Sequence, residues 1–236
     1  MSTATATFAP TPIEVIDATL SVIAARGYWQ PTSRQWEAPV PTAFDVRAYL
    51  QGYSYTGEPA VFRAIALASY ALDEPGAILT WARDGADSAD DYRRNLARVA
   101  AADQVTEQDI PLLCSAVPAW RRAQHRAAVA AEQDADRRLS THQGVPDGDP
   151  ITRRVTVAVV IDQGAHRNGS TRSYLIKLRD ADHNIYIWPA TSRTRHLPAQ
   201  GDRIEVTATV HRHTTYRDGT AQTYLRKVQW TPIATA

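Results

Sequence analysis

Two short runs carry side chains of the right types and spacing to grip a polyanion. Lys177 and Arg179 stand two residues apart, and so do Tyr186 and Trp188 in Ile185-Tyr186-Ile187-Trp188. A spacing of two puts both members of each pair on one face of a β-strand. Basic side chains neutralise phosphates and aromatic rings stack on bases, each stack being worth about 1–3 kcal/mol. If Ile176, Leu178, Ile185 and Ile187 point inward, then Lys177, Arg179, Tyr186 and Trp188 share the outer face of two neighbouring strands. Flanking segments add Arg167 in a polar loop, Arg193 and Arg195 in a connector, and Tyr216 with Arg217 in a turn. The competing reading is that Tyr186 and Trp188 pack under the helical part of the chain or against the connector.

Other chemistry is poorly served. His211 and His213 lie on one side of a strand pattern, with His166, His183 and His196 in loops, but no carboxylate or cysteine stands beside them at a ligand spacing. A solvated polar face is the expectation there, and no metal site. Cys114, the only cysteine, lies in the apolar run 110–114, which predicts a buried structural thiol and excludes a disulfide within the chain. There is no G-x-S-x-G, no Walker loop and no H-E-x-x-H. Asp180 and Asp182 resemble a carboxylate pair, but Asp-Ala-Asp-His-Asn is turn chemistry, and Asp90-Asp91 suits a helix N-terminus. Neither an enzyme nor a cofactor is expected.

The elements that must position these residues fall into two kinds. Residues 1–11 read as a Thr/Ala/Pro-rich tail. A helix opens at Thr11 or Pro12, with Ile13, Ile16, Leu20 and Ile23 on one face, and stops at Gly27. Residues 28–41, with Trp29 and Trp36, read as a loop pinned to the core. Helices are expected from Thr42 to about Gln51, over 61–72, over 78–83 and over 88–102, with Thr42 as a cap. An N-terminal capping pattern stands at 106–109. Pro118 is expected to restart the chain into a long, largely polar helix reaching about Thr141. Residues 144–150, GVPDGDP, read as a linker.

Beyond the linker the period changes to two. Val155, Val157, Val159 and Ile161 alternate with Thr156, Ala158 and Val160, Ile176 and Leu178 with Leu175, Lys177 and Arg179, Ile185 and Ile187 with Tyr186 and Trp188, and Ile204, Val206, Ala208 and Val210 with Glu205, Thr207 and Thr209. A turn at 216–219 leads into a fifth strand over 223–230. Five short strands in about 80 residues predict a small closed barrel of the OB type. The fold class is therefore α+β: an all-helical domain over 12–143, a linker over 144–150, a five-stranded antiparallel OB-like barrel over 151–231, and a tail over 232–236.

Charge follows the same division. Through Pro150 there are 13 Lys and Arg against 19 Asp and Glu; from Ile151 onward there are 13 against 6. The overall charge of +1 hides an acidic part and a basic part. A basic part is a candidate polyanion binder and an acidic helical part a candidate protein binder. Arg93, Arg94, Arg98, Arg121, Arg122 and Arg126 are interleaved with acids and read as a solvated face. No segment has the length and apolarity of a membrane span, and the first residues lack the pattern of an export signal, so a cytoplasmic location is expected.

The barrel segment resembles a C-terminal domain found in many actinobacterial and phage proteins. The resemblance is carried by residues 174–182 (YLIKLRDAD), by Ile185-Tyr186-Ile187-Trp188, by Gly201-Asp202, and by residues 208–219 (ATVHRHTTYRDG) with Gln222-Thr223. It covers about 150–230 and implies an OB-like fold and a phage or mobile-element context. Ala208 stands where the pattern has Gly, and Lys227-Val228 where it ends in Cys; the Cys-rich zinc segment of some relatives has no counterpart. Together these readings predict non-enzymatic binding of single-stranded nucleic acid, DNA before RNA, with the helical domain serving protein contacts or self-association. The alternatives are a phage or mobile-element protein–protein interaction role, and an accessory subunit of a nucleic-acid enzyme.

Overall fold

The computed structural model describes residues 8–30, 40–52, 75–165, 171–192, 194 and 196–233. The helix expected over 61–72, Trp36, Arg167, Arg193 and Arg195 lie outside these residues. The chain divides into two compact units, Met1–Arg126 and Ala127–Ala236.

The first unit is helical: α1 Pro12–Arg26, α2 Thr42–Leu50, α3 Pro75–Arg83, α4 Asp91–Ala100 and the first half of α5 Ile110–Leu139. Local chemistry sets the ends. The Glu14 carboxylate accepts from the Thr11 amide at 2.8 Å, and Gly27, with φ of 83°, closes α1. The Asp90 carboxylate accepts from the Tyr92 amide at 2.9 Å to open α4. The buried side of α1 is Val15, Ile16, Ala18, Thr19 and Val22, rotated from the stripe through Ile13 and Leu20 that the spacing favours. These residues pack with Val46, Ile78, Leu96, Val99, Ile110 and Leu113 in one core.

Two local expectations change. Pro41, not Thr42, caps α2; the Thr42 hydroxyl instead accepts from the Trp29 amide at 2.8 Å, which ties Trp29 to the first turn of the helix. The buried Asp45 carboxylate is paired with Arg26, tying α1 to α2. Pro118 does not restart the chain, because α5 runs through it. Proline removes only the single amide bond to the carbonyl four residues back, and buried Leu113, Ala116, Val117 and Ala119 hold the helix on both sides. Cys114 is buried, its sulfur accepts from the Thr19 hydroxyl at 3.3 Å, and burial pushes its pKa up to about 12, so it is a neutral thiol.

The second unit is a closed barrel of five strands, β1 Ile151–Ala165, β2 Arg172–Arg179, β3 Ile185–Thr191, β4 Arg203–Thr215 and β5 Ala221–Pro232, in the order β1-β2-β3-β5-β4. Four neighbour pairs are antiparallel and one, β3 with β5, is parallel. The expected antiparallel pairing is thus met in part, and parity explains the exception: strands that alternate strictly in direction cannot close a ring of odd number. One parallel pair is the minimum.

The lumen is filled by Val155, Val157, Ile176, Leu178, Tyr186, Trp188, Ile204, Val206, Ala208, Val210 and Leu225. A register shift between Val157 and Val159 flips the faces of β1. Beyond it Val160 turns toward the core, while Val159 and Ile161, expected inside, are exposed. A second shift sits opposite Ala208, where Lys227 takes a φ of 52° and the inward role passes to Val228 and Trp230.

Residues 140–144, expected to be the end of the helical domain and the start of the linker, belong to the second unit and form a strap across one mouth of the barrel. The Thr141 amide donates to Asn184 Oδ1 at 2.9 Å, the Gln143 amide to Thr223 Oγ1 at 3.0 Å, and the Ala221 amide to Ser140 Oγ at 2.9 Å. His142 and His213 stack 4.7 Å apart, each hydrogen-bonded through Nε2 to a carbonyl, of Thr214 and Gln143 respectively. Gly144, with φ of 69°, passes so close that an added Cβ would stand 2.9 Å from Val210 Cγ2 and 3.0 Å from Ile151 Cγ2. Gly144→Ala combines a disfavoured backbone with this clash and is expected to destabilise the barrel by roughly 2 kcal/mol. Urea denaturation followed by circular dichroism measures it, and an unchanged midpoint would mean that the strap is not seated on the barrel.

Candidate functional site

The register between β2 and β3 decides which side chains meet. Ile176 stands opposite Trp188, Leu178 opposite Tyr186, Lys177 opposite Ile187 and Arg179 opposite Ile185. Directly opposed residues share a face. The expected outer quartet of Lys177, Arg179, Tyr186 and Trp188 is therefore not formed. Tyr186 (1% exposed) and Trp188 (5%) face the lumen, and the basic pair shares its side with Ile185 and Ile187, also buried. Neither aromatic ring offers a face to a base. The Tyr186 hydroxyl donates to Asp180 Oδ2 at 2.9 Å, and burial together with that carboxylate raises the phenol pKa far above its ordinary value.

Asp180 builds the β2–β3 turn. Its Oδ1 accepts from the Asp182 amide at 3.0 Å and the Asn184 amide at 2.9 Å, and its Oδ2 from the Asn184 side chain at 3.0 Å. The turn holds His183 at a φ of 66°, where its ring reaches the end of α5.

That helix end supplies the residue that sequence reasoning missed. Asp136, 2% exposed, accepts hydrogen bonds from Lys177 Nζ at 3.2 Å and Arg179 Nη2 at 2.8 Å, with His183 Nδ1 at 3.2 Å, while Arg179 Nε lies 2.7 Å from its other oxygen as an ion-pair contact without hydrogen-bond geometry. Glu132, one turn earlier, receives Arg179 Nη1 at 2.9 Å. Burial works against the Asp136 charge, but the hydrogen bonds from Arg179, His183 and Lys177 outweigh it, so its pKa lies below the usual carboxylate value. Burial likewise opposes the Arg179 charge, and Asp136 and Glu132 more than restore it. Lys177 and Arg179 are thus bound to carboxylates of their own chain. No spacing rule announces Asp136: it sits in a polar run, AAEQDADRR, that reads as solvent-facing.

The β4–β5 ribbon carries what remains open. Tyr216 is 47% exposed at the turn, with the Arg217 guanidinium 5.6 Å from its ring centre. Arg212 lies 4.5 Å over the Tyr224 ring, the two being opposite each other in register. The turn is held by the Tyr216 amide on the Thr220 carbonyl at 2.8 Å and the Thr220 amide on Asp218 Oδ1 at 3.0 Å. Among the described residues no group of three His, Cys, Asp or Glu is arranged to hold a metal ion, and no helix is long and apolar enough to cross a membrane.

Two stability measurements check this site. Trp188→Ala empties part of the lumen and is expected to cost about 3–5 kcal/mol; a variant of unchanged stability would mean that the ring lies outside the core. Asp136→Ala leaves the partly buried Arg179 and Lys177 without their carboxylate and is expected to cost about 1–3 kcal/mol. Because the folded carboxyl has the lower pKa, its contribution is complete above the unfolded value, near pH 4, and is lost as pH falls through the folded value. The gap between wild type and Asp136→Asn should therefore narrow below about pH 4 in acid titrations of the denaturation midpoint. No protein-family model, no curated protein and no solved structure matches the chain.

Proposed function

We propose that the barrel binds single-stranded nucleic acid without catalysing a reaction, and that it does so along the β4–β5 ribbon rather than on the β2–β3 face. The observation that carries the reading is the pairing of aromatic rings with guanidinium groups on one hairpin: Tyr216 with Arg217, and Tyr224 with Arg212. A ring offers a base a sequence-tolerant stacking surface and an adjacent arginine offers its phosphate a fork of donors. The five-stranded closed order is that of an OB-like barrel, an architecture that uses its loops for such ligands. The excess of basic over acidic residues from Ile151 onward fits a polyanionic partner. In the sequence Arg167 stands between β1 and β2, and Arg193 and Arg195 between β3 and β4, and they contribute to that basic excess. The helical unit serves protein contacts or self-association, and a phage or mobile-element setting is what the sequence resemblance adds.

A fluorescently labelled thymidine oligonucleotide tests this by anisotropy. If about three phosphates are neutralised, affinity should fall roughly 20-fold between about 50 and about 200 mM salt. Tyr216→Ala and Arg212→Ala should each weaken binding about five- to tenfold while leaving the melting temperature unchanged. Absence of any anisotropy change at low salt would refute the reading. Full-strength binding by both variants would move the site off the ribbon.

A further inference from the structure

One cleft of the second unit is not used by the ribbon. It encloses about 480 Å³, and its walls include Arg154, Thr156, Arg179, His183, Arg203 and Glu132. The register explains how it forms. Thr156 of β1 stands between Arg179 of β2 and Arg203 of β4, and Arg154 projects from the same face of β1 two residues earlier. With strands about 4.8 Å apart, the backbones bearing Arg179 and Arg203 are about 10 Å apart.

The two walls differ in what they have left to offer. On the helix side Arg179 is held by Asp136 and Glu132, His183 by Asp136, and both oxygens of Asp180 serve the turn. On the β1–β4 side Arg203 is exposed and has no ion-pair partner among the described residues. Arg154 meets only Glu205, at 3.4 Å with 81% of its side chain in water, a contact that solvent screens. Two guanidinium forks flank the Thr156 hydroxyl, a donor set that matches the three terminal oxygens and near-double charge of a phosphate monoester better than the single charge of a diester. The volume falls within the range of small-molecule sites and admits a nucleotide.

We propose that this cleft binds a phosphate monoester, on the end of a nucleic-acid strand or on a free nucleotide, through Arg154, Arg203 and Thr156. The strand-end source rests on the single-strand reading above; the free-nucleotide source does not. The test uses the full chain and a variant carrying Arg154→Ala and Arg203→Ala. Both side chains lie on the surface, so the variant should melt as the wild type does. Anisotropy compares an oligonucleotide phosphorylated at either end with its hydroxyl-ended twin, and calorimetry follows adenosine monophosphate.

The wild type is expected to prefer the phosphorylated strand about tenfold at low salt, and the double variant to lose that preference. Equal affinity for the two strands with calorimetric heat from the nucleotide, abolished in the variant, assigns the cleft to free nucleotides. Equal affinity without such heat overturns the cleft while leaving strand binding in place. A preference that survives in the variant also overturns it. If neither strand binds, the single-strand reading falls, and the nucleotide titration alone decides: heat that the variant abolishes upholds the cleft, and no heat removes it.

Discussion

A single buried carboxylate organises the second unit. Asp136 gathers a lysine, an arginine and a histidine from β2 and the following turn onto the end of α5. Such a cluster adds little net stability over an apolar contact of the same shape, yet losing one of the cations is costly because the carboxylate they share is buried. Its effect is therefore one of specificity: it fixes where the helix end lies on the barrel and which strand face it covers. On β3, Ile185 and Ile187 are buried outside the lumen while Tyr186 and Trp188 are buried within it. The short third strand thus has two dry sides.

That double burial explains what was legible and what was not. Alternation identified five strands and their order in the chain, and the inward set of β4 (Ile204, Val206, Ala208, Val210) reads directly because polar residues separate its members. In Ile185-Tyr186-Ile187-Trp188 both interleaved sets are apolar, so periodicity names a strand but not its inner face. A choice of the wrong set shifts the register by one and turns a core ring into an apparent binding ring. The bulge in β1 works in the same way: Val155, Val157, Val159 and Ile161 form one unbroken pattern in sequence, and only the extra residue at Ala158 sends the later two outward. That one neighbour pair must be parallel follows from the count of five strands in a closed ring, but that the pair is β3–β5 is again a long-range pairing.

The site divides along similar lines. Tyr216 and Arg217 were readable because a turn at 216–219 exposes whatever it carries. Asp136 was not, because a carboxylate in a polar helix differs from its solvated neighbours only by what the distant strands bring to it. The Arg154–Thr156–Arg203 wall depends on the pairing of β1 with β4, strands separated by the whole of β2 and β3. In each case the missing information is a long-range register, which composition and local period do not contain.

The order in which the barrel must assemble follows from its ring closure. β1–β2, β2–β3 and β4–β5 are hairpins whose partners are close in sequence. The seams β1–β4 and β3–β5 join distant segments, with Ile151 against Ala208 and Ile185 against Gln222. Loop-closure entropy delays such pairings, so a three-stranded meander and a two-stranded ribbon form first and the seams last. Until they close, the nascent chain has four open strand edges, and each can recruit a strand from another molecule. The strap, which hydrogen-bonds to Asn184 at the start of β3 and to β5 at Ala221 and Thr223, spans the second seam and shortens that interval.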